Sequence, residues 1–138
     1  MLSAAATSLT DARPLEQVTL LTKALADETR LRILGVLKDQ ELCACQIIEL
    51  FELANSTISK HLAILRQAGL IQTRKQGRWI YFSRVAEPHS DILATFAYLD
   101  TLLQTETTIQ RDQARAAAIL QMDPIELCRR QSGKDCCP

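Results

Sequence analysis

The sequence predicts a mainly α fold of the α+β class that contains one small β-hairpin, and two observations support this. Apolar residues recur with helical spacing in successive segments between residues 15 and 67. The period then changes, because β-branched and aromatic runs at 70–74 and 79–83 flank the Gly-containing segment 75–78, which is typical of a hairpin. Helix, short turn, helix and then a hairpin is the order of a winged helix-turn-helix.

The first two predicted helices meet at a capping residue. The first helix covers about 15–26, and its apolar stripe is formed by Leu15, Val18, Leu21 and Leu25. Asp27 is of an N-cap residue type and opens the second helix. The apolar stripe of that second helix is formed by Leu31, Leu34 and Leu37. Both helices are therefore expected to bury one face.

The next two helices form the predicted helix-turn-helix. A short third helix is expected over about 43–53, with its inward face formed by Ile47, Leu50 and Phe51. Asn55 and Ser56 are N-cap residue types, so we expect them to open a fourth helix that continues to about Gln67. Gly69 then marks the end of this helix. The fourth helix is the one expected to enter the major groove of DNA.

The remainder of the chain suggests three divisions. Residues 1–14 are rich in Ala, Ser and Thr and are expected to form a flexible arm. Residues 15–106 hold the winged helix-turn-helix and a further amphipathic helix from about Asp91 to Glu106. Residues 107–138 are expected to form a helical extension, interrupted at Asp123-Pro124, and a cysteine-containing tail.

Charge is distributed unevenly along a chain whose formal net charge is zero. Residues 53–86 contain no Asp or Glu, and their basic residues are Lys60, Arg66, Arg74, Lys75, Arg78 and Arg84. The rest of the chain carries ten basic and all sixteen acidic residues, which is a net charge of minus six. A local cationic stretch of this kind is what contact with DNA phosphates requires.

The predicted reading helix and hairpin supply the candidate DNA contacts. Ile58, Leu62 and Leu65 share the face expected to pack inward, whereas the polar candidates on the other side are Asn55, Ser56, Ser59 and Lys60. Small polar groups at the start of such a helix suit base edges and phosphates. His61 borders the two faces, where it either contacts a phosphate or packs within the domain. At the hairpin tip the candidates are Arg74, Lys75 and Arg78.

Two of the five cysteines, Cys43 and Cys45, lie just before the reading helix. Thiolates select soft ions, and a helix N-terminus favours the thiolate form of a cysteine. On a regular helix these two side chains would lie about 200 degrees apart, since there are about 3.6 residues per turn. Joint binding of one ion would then require the first helical turn to deform. Because only a short turn joins this helix to the reading helix, the reading helix would shift as well.

Four motifs resemble those of the ArsR/SmtB family of metal-responsive repressors, and the likeness covers about residues 21–84. They are Ala26-Asp27-Glu28-Thr29-Arg30-Leu31-Arg32-Ile33-Leu34, Glu41-Leu42-Cys43-Ala44-Cys45, Ser59-Lys60-His61-Leu62-Ala63-Ile64-Leu65 and Arg74-Lys75-Gln76-Gly77-Arg78. The resemblance implies a homodimer built from the first and last helices of the domain. It also implies binding to a palindromic double-stranded operator and release by an inducer ion. The apolar stripes of 15–25 and 92–103, which are hard to cover in so small a domain, agree with dimerisation.

The cysteine pattern departs from that of the arsenic-responsive branch, in which the similar motif implies a third cysteine where this chain has Ile48. The third ligand for As(III) or Sb(III) is then expected from Cys128, Cys136 or Cys137. A two-thiol site suited to a methylated arsenic species and a cadmium- or lead-responsive site remain alternatives. A repressor that responds to thiol oxidation is a further alternative.

Other classes of protein and location fit the sequence less well. An enzyme such as an arsenate reductase would need a Gly- and Arg-rich oxyanion loop, but the four glycines are scattered, so neither an enzyme nor a catalytic cofactor is expected. The chain begins without a basic leader and apolar run, and no stretch reaches the roughly 18 apolar residues of a membrane span. We therefore expect a cytoplasmic protein with reduced thiols and no membrane contact.

Overall fold

The computed structural model describes residues 14–132, and it confirms the mainly α winged helix-turn-helix. In this part of the chain the helices are α1 Pro14–Leu25, α2 Glu28–Val36, α3 Ala44–Phe51, α4 Asn55–Gln67, α5 Ser90–Leu103, α6 Thr107–Ile119 and α7 Pro124–Ser132. The strands are β1 Leu42–Cys43, β2 Ile71–Gln76 and β3 Trp79–Arg84. Across these residues, no helix combines the length and apolar character that a membrane span needs.

The junction of α1 and α2 forms as predicted. Asp27 has an extended backbone, and its side chain accepts a hydrogen bond of 3.1 Å from the backbone N–H of Arg30. This satisfies one of the N–H groups that a helix start leaves without a partner. Asp27 is therefore the N-cap of α2.

The predicted start of the third helix is wrong by one residue at Cys43. Cys43 has an extended backbone and belongs to β1, where it pairs with Tyr81 of β3, while Leu42 pairs with Phe82. The helix starts at Ala44. A two-residue strand whose partner lies almost forty residues away leaves no periodic signal in the local sequence, so only the tertiary pairing reveals it.

The start of the reading helix also differs from the prediction. Ala54 is the N-cap of α4, and Asn55 and Ser56 are its first two helical residues. Their side chains therefore do not cap the helix and stay exposed. At the other end, Gly69 has a φ of 79°, in the left-handed region that favours glycine, so its predicted role in ending the helix is confirmed.

The hairpin is the wing of the fold, and it is joined by β1 in a three-stranded antiparallel sheet of order β1-β3-β2. Gln76 pairs with Trp79 at the tip, and Gly77 has a φ of 62° in the turn between them. Because β3 is the central strand, it contacts both the wing strand and the segment that carries Cys43. The sheet thus connects the cysteine motif directly to the wing.

One of the six basic residues assigned to the cationic stretch points inward. Arg84 donates hydrogen bonds of 2.7 and 2.9 Å to the carbonyl oxygen of Leu34 and pairs with Asp100 at 2.9 and 3.0 Å. Its guanidinium also lies 4.6 Å from the centre of the Phe96 ring. Arg84 therefore ties β3 to α2 and α5 and does not contribute to a DNA-facing surface.

The C-terminal helices α6 and α7 pack against the helix-turn-helix. Buried residues of both helices join the main core, and these are Ala116, Ile119, Leu127 and Cys128. Asp112 of α6 is buried and forms a two-point ion pair with Arg32 of α2, at 2.7 and 2.9 Å. The extension is thereby held on α2 and α3.

Candidate functional site: a thiol cavity beside the reading helix

A cavity of about 590 Å³ lies between the start of α3, the start of α4, the sheet and α7. Three cysteines contribute to its lining, namely Cys43, Cys45 and Cys128. The other lining residues are Ala44, Ile48, Leu53, Ala54, Asn55, Ser59, Trp79, Ile80, Phe82 and Gln131. Its walls are mostly apolar, and the reactive groups among the lining residues are the cysteine sulfurs.

Cys43 is an unbonded thiol that is almost fully buried. Its backbone N–H donates a hydrogen bond of 2.9 Å to Oε1 of Gln46, which secures the first turn of α3. Burial raises the pKa of the Cys43 thiol, although backbone hydrogen bonds act in the opposite direction. The expectation that the helix N-terminus would favour the thiolate is therefore wrong for Cys43, because loss of hydration outweighs it.

Cys45 and Cys128 are joined in a disulfide, with their Cα atoms 5.5 Å apart. The bond links the first turn of α3 to α7, across 83 positions of sequence. Gln131, one turn further along α7, donates a hydrogen bond of 2.9 Å to the carbonyl oxygen of Cys45. Of the tail thiols considered as partners of the motif, Cys128 is thus the one the structure brings to it, whereas Cys136 and Cys137 lie outside the described residues.

The position of Cys43 changes the geometry expected for the motif. Since Cys43 is in β1 and Cys45 is in α3, the separation of about 200 degrees on one helix does not apply. Both residues line the same cavity without any unwinding of α3. Within residues 14–132, however, no three His, Cys, Asp or Glu side chains are gathered closely enough to hold a metal ion. A three-sulfur site would need the disulfide to open and the side chains to turn.

The outer face of α4 presents the polar residues predicted to read DNA. Asn55, Ser56, Ser59 and Lys60 are exposed, while the opposite face of the helix buries Ile58, Leu62 and Leu65. The hydroxyl of Ser59 lies 3.4 Å from Oδ1 of Asn55. The predicted division of the helix into a packed face and an open face is therefore confirmed.

His61 is largely buried against the α1–α2 junction. Arg30 donates a hydrogen bond of 3.1 Å to Nδ1 of His61, and Arg30 also holds the carbonyl oxygens of Lys23 and Ala24 at 2.9 Å. Asp27 lies 3.8 Å from the same ring nitrogen. Of the two roles considered for His61, the structure shows the packing contact, through which it orients α4.

The basic residues of the wing differ in their surroundings. Arg74 donates hydrogen bonds of 2.6 and 3.0 Å to the carboxylate of Glu41, and these bonds lower the pKa of Glu41. The guanidinium of Arg74 also lies over the ring of Tyr81. In the described part of the chain, Lys75 and Arg78 are exposed and make no ion pair. Within residues 14–132, the wing tip thus carries two cations that have no ion-pair partner, while Arg74 is bound to the segment that precedes Cys43.

The residues of β3 that line the cavity were missed by the sequence analysis. Trp79 packs against the core and also lines the cavity, together with Ile80 and Phe82. Ala54, Asn55 and Ser59 make the cavity wall at the start of α4. No spacing rule marks these residues, because the cavity forms only where four elements meet.

Apolar side chains remain exposed on two helices. The stripe of α5 is only partly open, because Ile92, Phe96 and Leu99 pack into the core of the same chain. Among the large apolar side chains of residues 14–132, those more than half exposed are Leu15 and Val18 of α1 and Leu93, Tyr98 and Leu102 of α5. These two helices are the ones expected to form a dimer interface.

Comparison with known proteins agrees with this architecture. The sequence model of the family described as "Bacterial regulatory protein, arsR family" matches residues 27–73. The chain is 44% identical over 61 residues to the arsenic resistance transcriptional regulator ArsR1 of Pseudomonas putida, covering 44% of this chain and 48% of the relative. It is 46% identical over 63 residues to the arsenical resistance operon repressor of Escherichia coli, covering 45% and 54% respectively. The chain thus spans about half the length of these two relatives.

A solved structure matches over nearly its whole length. This is HlyU from Vibrio cholerae N16961, with a TM-score of 0.57 and 32% identity. The match covers 67% of this chain and 98% of that protein. Family match, identity and fold lead to the same assignment, and this chain therefore belongs to the ArsR family of bacterial regulatory proteins.

Proposed function

We propose that this protein is a homodimeric transcriptional repressor that leaves its operator when its cysteines bind As(III) or Sb(III). One observation carries this proposal. The cavity that contains Cys43, Cys45 and Cys128 shares its walls with the start of the reading helix and with the central strand of the wing sheet. A ligand at these sulfurs therefore acts on both elements that position the protein on DNA.

The proposed DNA contacts come from the exposed faces described above. Asn55, Ser56, Ser59 and Lys60 meet base edges and phosphates in the major groove, and Lys75 and Arg78 meet the backbone at the wing. Arg74 contacts the DNA backbone as well when its ion pair with Glu41 opens. His61 acts by holding α4 in place through Arg30.

The dimer and its operator follow from the exposed apolar residues. Pairing of α1 and α5 with a second copy covers Leu15, Val18, Leu93, Tyr98 and Leu102. A two-fold dimer presents two reading helices, which matches a palindromic operator. We place this activity in the cytoplasm, where reduced thiols are available.

The inducer is proposed to bind in the cavity as a thiolate complex. Each As–S bond forms as one hydroxide leaves arsenic and takes the thiol proton as water, so the arsenic stays trivalent. Two equivalents of a low-molecular-weight thiol first reduce the disulfide between Cys45 and Cys128 and are themselves oxidised to a disulfide. The two freed cysteines then bind, and the third position is taken by Cys43 or by Cys136 or Cys137 of the tail. Soft trivalent metalloids suit such sulfur ligands.

Binding is expected to weaken DNA affinity by moving α3 and α7 relative to α4. Allosteric couplings of about 1–3 kcal/mol correspond to roughly 5- to 150-fold changes in affinity. The shift of Cys43 or Cys45 toward a shared ligand alters the wall formed by Ala54, Asn55 and Ser59, at the point where α4 starts.

Gel mobility shift on an operator selected from a random duplex pool tests the proposal. Reduced protein should release the operator on titration with arsenite or antimonite, and Cys43→Ser, Cys45→Ser and Cys128→Ser should each bind the operator but respond less. The double variant Cys136→Ser/Cys137→Ser serves as a comparison that reports any part played by the tail. Equal operator affinity of the free and arsenite-loaded wild type would contradict the proposal, and release by cadmium or lead alone would reassign the inducer.

A second candidate, a repressor that responds to thiol oxidation, is favoured by the bond between Cys45 and Cys128. In that case the disulfide itself changes operator affinity, because it fixes α7 on α3. Operator release by peroxide in the absence of metalloid, abolished in Cys128→Ser, would support it.

A further inference from the structure

We propose that Arg115 of α6 is a positioning residue for the reading helix, because it holds the turn between α3 and α4 in the conformation that orients α4. The proposal rests on the operator binding proposed above, and it makes the C-terminal extension part of the DNA-binding unit. The observation that carries it is the placement of one guanidinium against both the last turn of α3 and the residue that follows that helix.

The turn inside the helix-turn-helix has only three residues, which are Glu52, Leu53 and Ala54. Glu52 has a φ of 54° and is the single non-glycine residue with a positive φ among residues 14–132. Its backbone N–H donates a hydrogen bond of 2.8 Å to the carbonyl oxygen of Ile48, which closes the last turn of α3. Glycine and asparagine are the residues that ordinarily take a left-handed position at a helix end. The backbone conformation alone therefore disfavours glutamate at this position.

Arg115 reaches this turn from a site 63 positions further along the chain. One guanidinium nitrogen donates a hydrogen bond of 3.0 Å to Oε2 of Glu52, and another donates one of 3.2 Å to the carbonyl oxygen of Glu49. That carbonyl belongs to the last turn of α3, where carbonyl oxygens lack a partner within the helix and the helix dipole favours a cation. These two hydrogen bonds form a clamp, since they cap α3 and hold the side chain of Glu52 at the same time.

Other contacts hold the same end of α3 to the extension. A guanidinium nitrogen of Arg130 on α7 lies 3.8 Å from Oε1 of Glu49. Asp112 of α6 pairs with Arg32, and the guanidinium of Arg32 lies 5.0 Å from the centre of the Phe51 ring, at the last residue of α3. Both helices of the extension thus hold the end of α3, and α6 also holds the turn that follows.

The clamp affects the direction of α4. Ala54 is the N-cap of α4 and Asn55 is its first residue, so the backbone angles of Glu52 and Leu53 fix how α4 leaves α3. Without the clamp, the turn adopts further conformations and fewer molecules hold α4 in the binding orientation. The apparent affinity for DNA is reduced by that fraction. The side chains of Arg115 and Glu52 are 45% and 72% exposed, and exposed pairs contribute little, so the expected loss of affinity is about three- to fivefold.

Operator affinity and urea unfolding of full-length variants, measured without inducer, test the clamp. Arg115→Ala should bind the operator about three- to fivefold more weakly than the wild type. Glu52→Asn removes the carboxylate but suits the positive φ, so it should unfold at about the wild-type urea concentration and yet lose a similar share of affinity. A role of Glu52 in stability alone would not separate these two measurements.

Arg111→Ala is the matched control for Arg115→Ala. Arg111 is an exposed cation one turn earlier on α6, and within residues 14–132 it has no ion-pair partner. Its removal takes the same charge from the same helix without touching the turn. The control should therefore change operator affinity by less than about twofold.

The dependence of affinity on salt separates the clamp from a direct contact with DNA. Because Arg115 binds Glu52 within the protein, Arg115→Ala should leave the slope of log affinity against log salt unchanged. A slope reduced by about 0.9 would show that Arg115 binds a phosphate, and the inference would be overturned. Operator affinities of Arg115→Ala and Glu52→Asn equal to that of the wild type would overturn it as well.

Hydrogen exchange without DNA distinguishes failure of the clamp from failure of the proposed function. The backbone amides of residues 52–55, followed by mass spectrometry, should exchange faster in Arg115→Ala than in the wild type and in Arg111→Ala. If the wild type selects no operator, the repressor proposal is wrong, and the exchange comparison alone decides whether the clamp exists. If the wild type binds an operator but Arg115→Ala changes neither exchange nor affinity, the repressor proposal stands and the inference is wrong.

Discussion

Removal of the buried carboxylate of Asp112 should loosen the C-terminal extension and so remove Cys128 from the thiol cavity. Asp112 lies on α6 and forms two short hydrogen bonds to Arg32 of α2, at 2.7 and 2.9 Å. The helix that follows carries Cys128 to Cys45. The variant Asp112→Ala leaves the guanidinium of Arg32 without this partner but keeps its contact over the Phe51 ring at 5.0 Å.

The expected loss of stability follows from the exposure of the two partners. Breaking a fully buried ion pair costs about 3–5 kcal/mol, and exposed pairs contribute about 0–1 kcal/mol. The side chain of Asp112 is 7% exposed, but that of Arg32 is 33% exposed and remains partly hydrated when the partner is removed. We therefore expect Asp112→Ala to lower the free energy of unfolding by about 2–3 kcal/mol, between the two limits.

Urea unfolding of the reduced protein, followed by circular dichroism, measures this loss. Arg111→Ala on the same helix is the matched control, since Arg111 is exposed and should change the free energy of unfolding by less than about 0.5 kcal/mol. Alkylation of Cys128 under native conditions should be faster in Asp112→Ala than in the control, because α7 opens more often. A loss below about 0.5 kcal/mol for Asp112→Ala would refute the role given to this ion pair.

Three further outcomes are expected. The rate of Cys43 alkylation, mapped by mass spectrometry, should rise at a higher pH than that of N-acetylcysteine. Burial raises the pKa of the Cys43 thiol in the folded protein. The contribution of this thiol to stability is therefore complete below its unfolded-state pKa and is lost as pH rises through its folded-state pKa. An alkylation rate that rises over the same pH range as that of N-acetylcysteine would contradict this. Leu93→Glu should convert the proposed dimer to monomer in sedimentation and weaken operator binding, since it places charge on an exposed apolar helix; a variant that sediments as the wild type does would remove Leu93 from the proposed interface. Arg78→Ala should reduce the slope of log affinity against log salt by about 0.9. Arg74→Ala should reduce this slope by less, because Glu41 already neutralises Arg74. Equal reductions in the two variants would show that Arg74 is not paired with Glu41 when the protein is bound to DNA.

Much of the fold could be predicted from local patterns. The period of the apolar residues predicted α1, α2, α4 and α5, and the β-branched runs around Gly77 predicted the hairpin. These features depend on interactions between residues a few positions apart, so each stretch of sequence carries its own signal. Asp27 as a cap and Gly69 as a helix end belong to the same category.

The candidate site could be predicted only in part. The sequence marked Cys43 and Cys45 as sulfur ligands and α4 as the reading helix, but it placed Cys43 on the helix and left the partner of the motif open among three cysteines. The structure assigns Cys43 to a strand beside β3 and brings Cys128 to Cys45.

What the sequence by itself determined is the set of helices, the wing and the residue types available for DNA and for soft ligands. The tertiary structure decided which of those residues meet. It turned Arg84 inward to Asp100, bound His61 to Arg30, and formed a largely apolar cavity between α3, α4, β3 and α7. The physical reason is distance along the chain: these contacts join residues that lie from 16 to 83 positions apart. Their energy comes from burial and charge pairing that no local window of sequence contains.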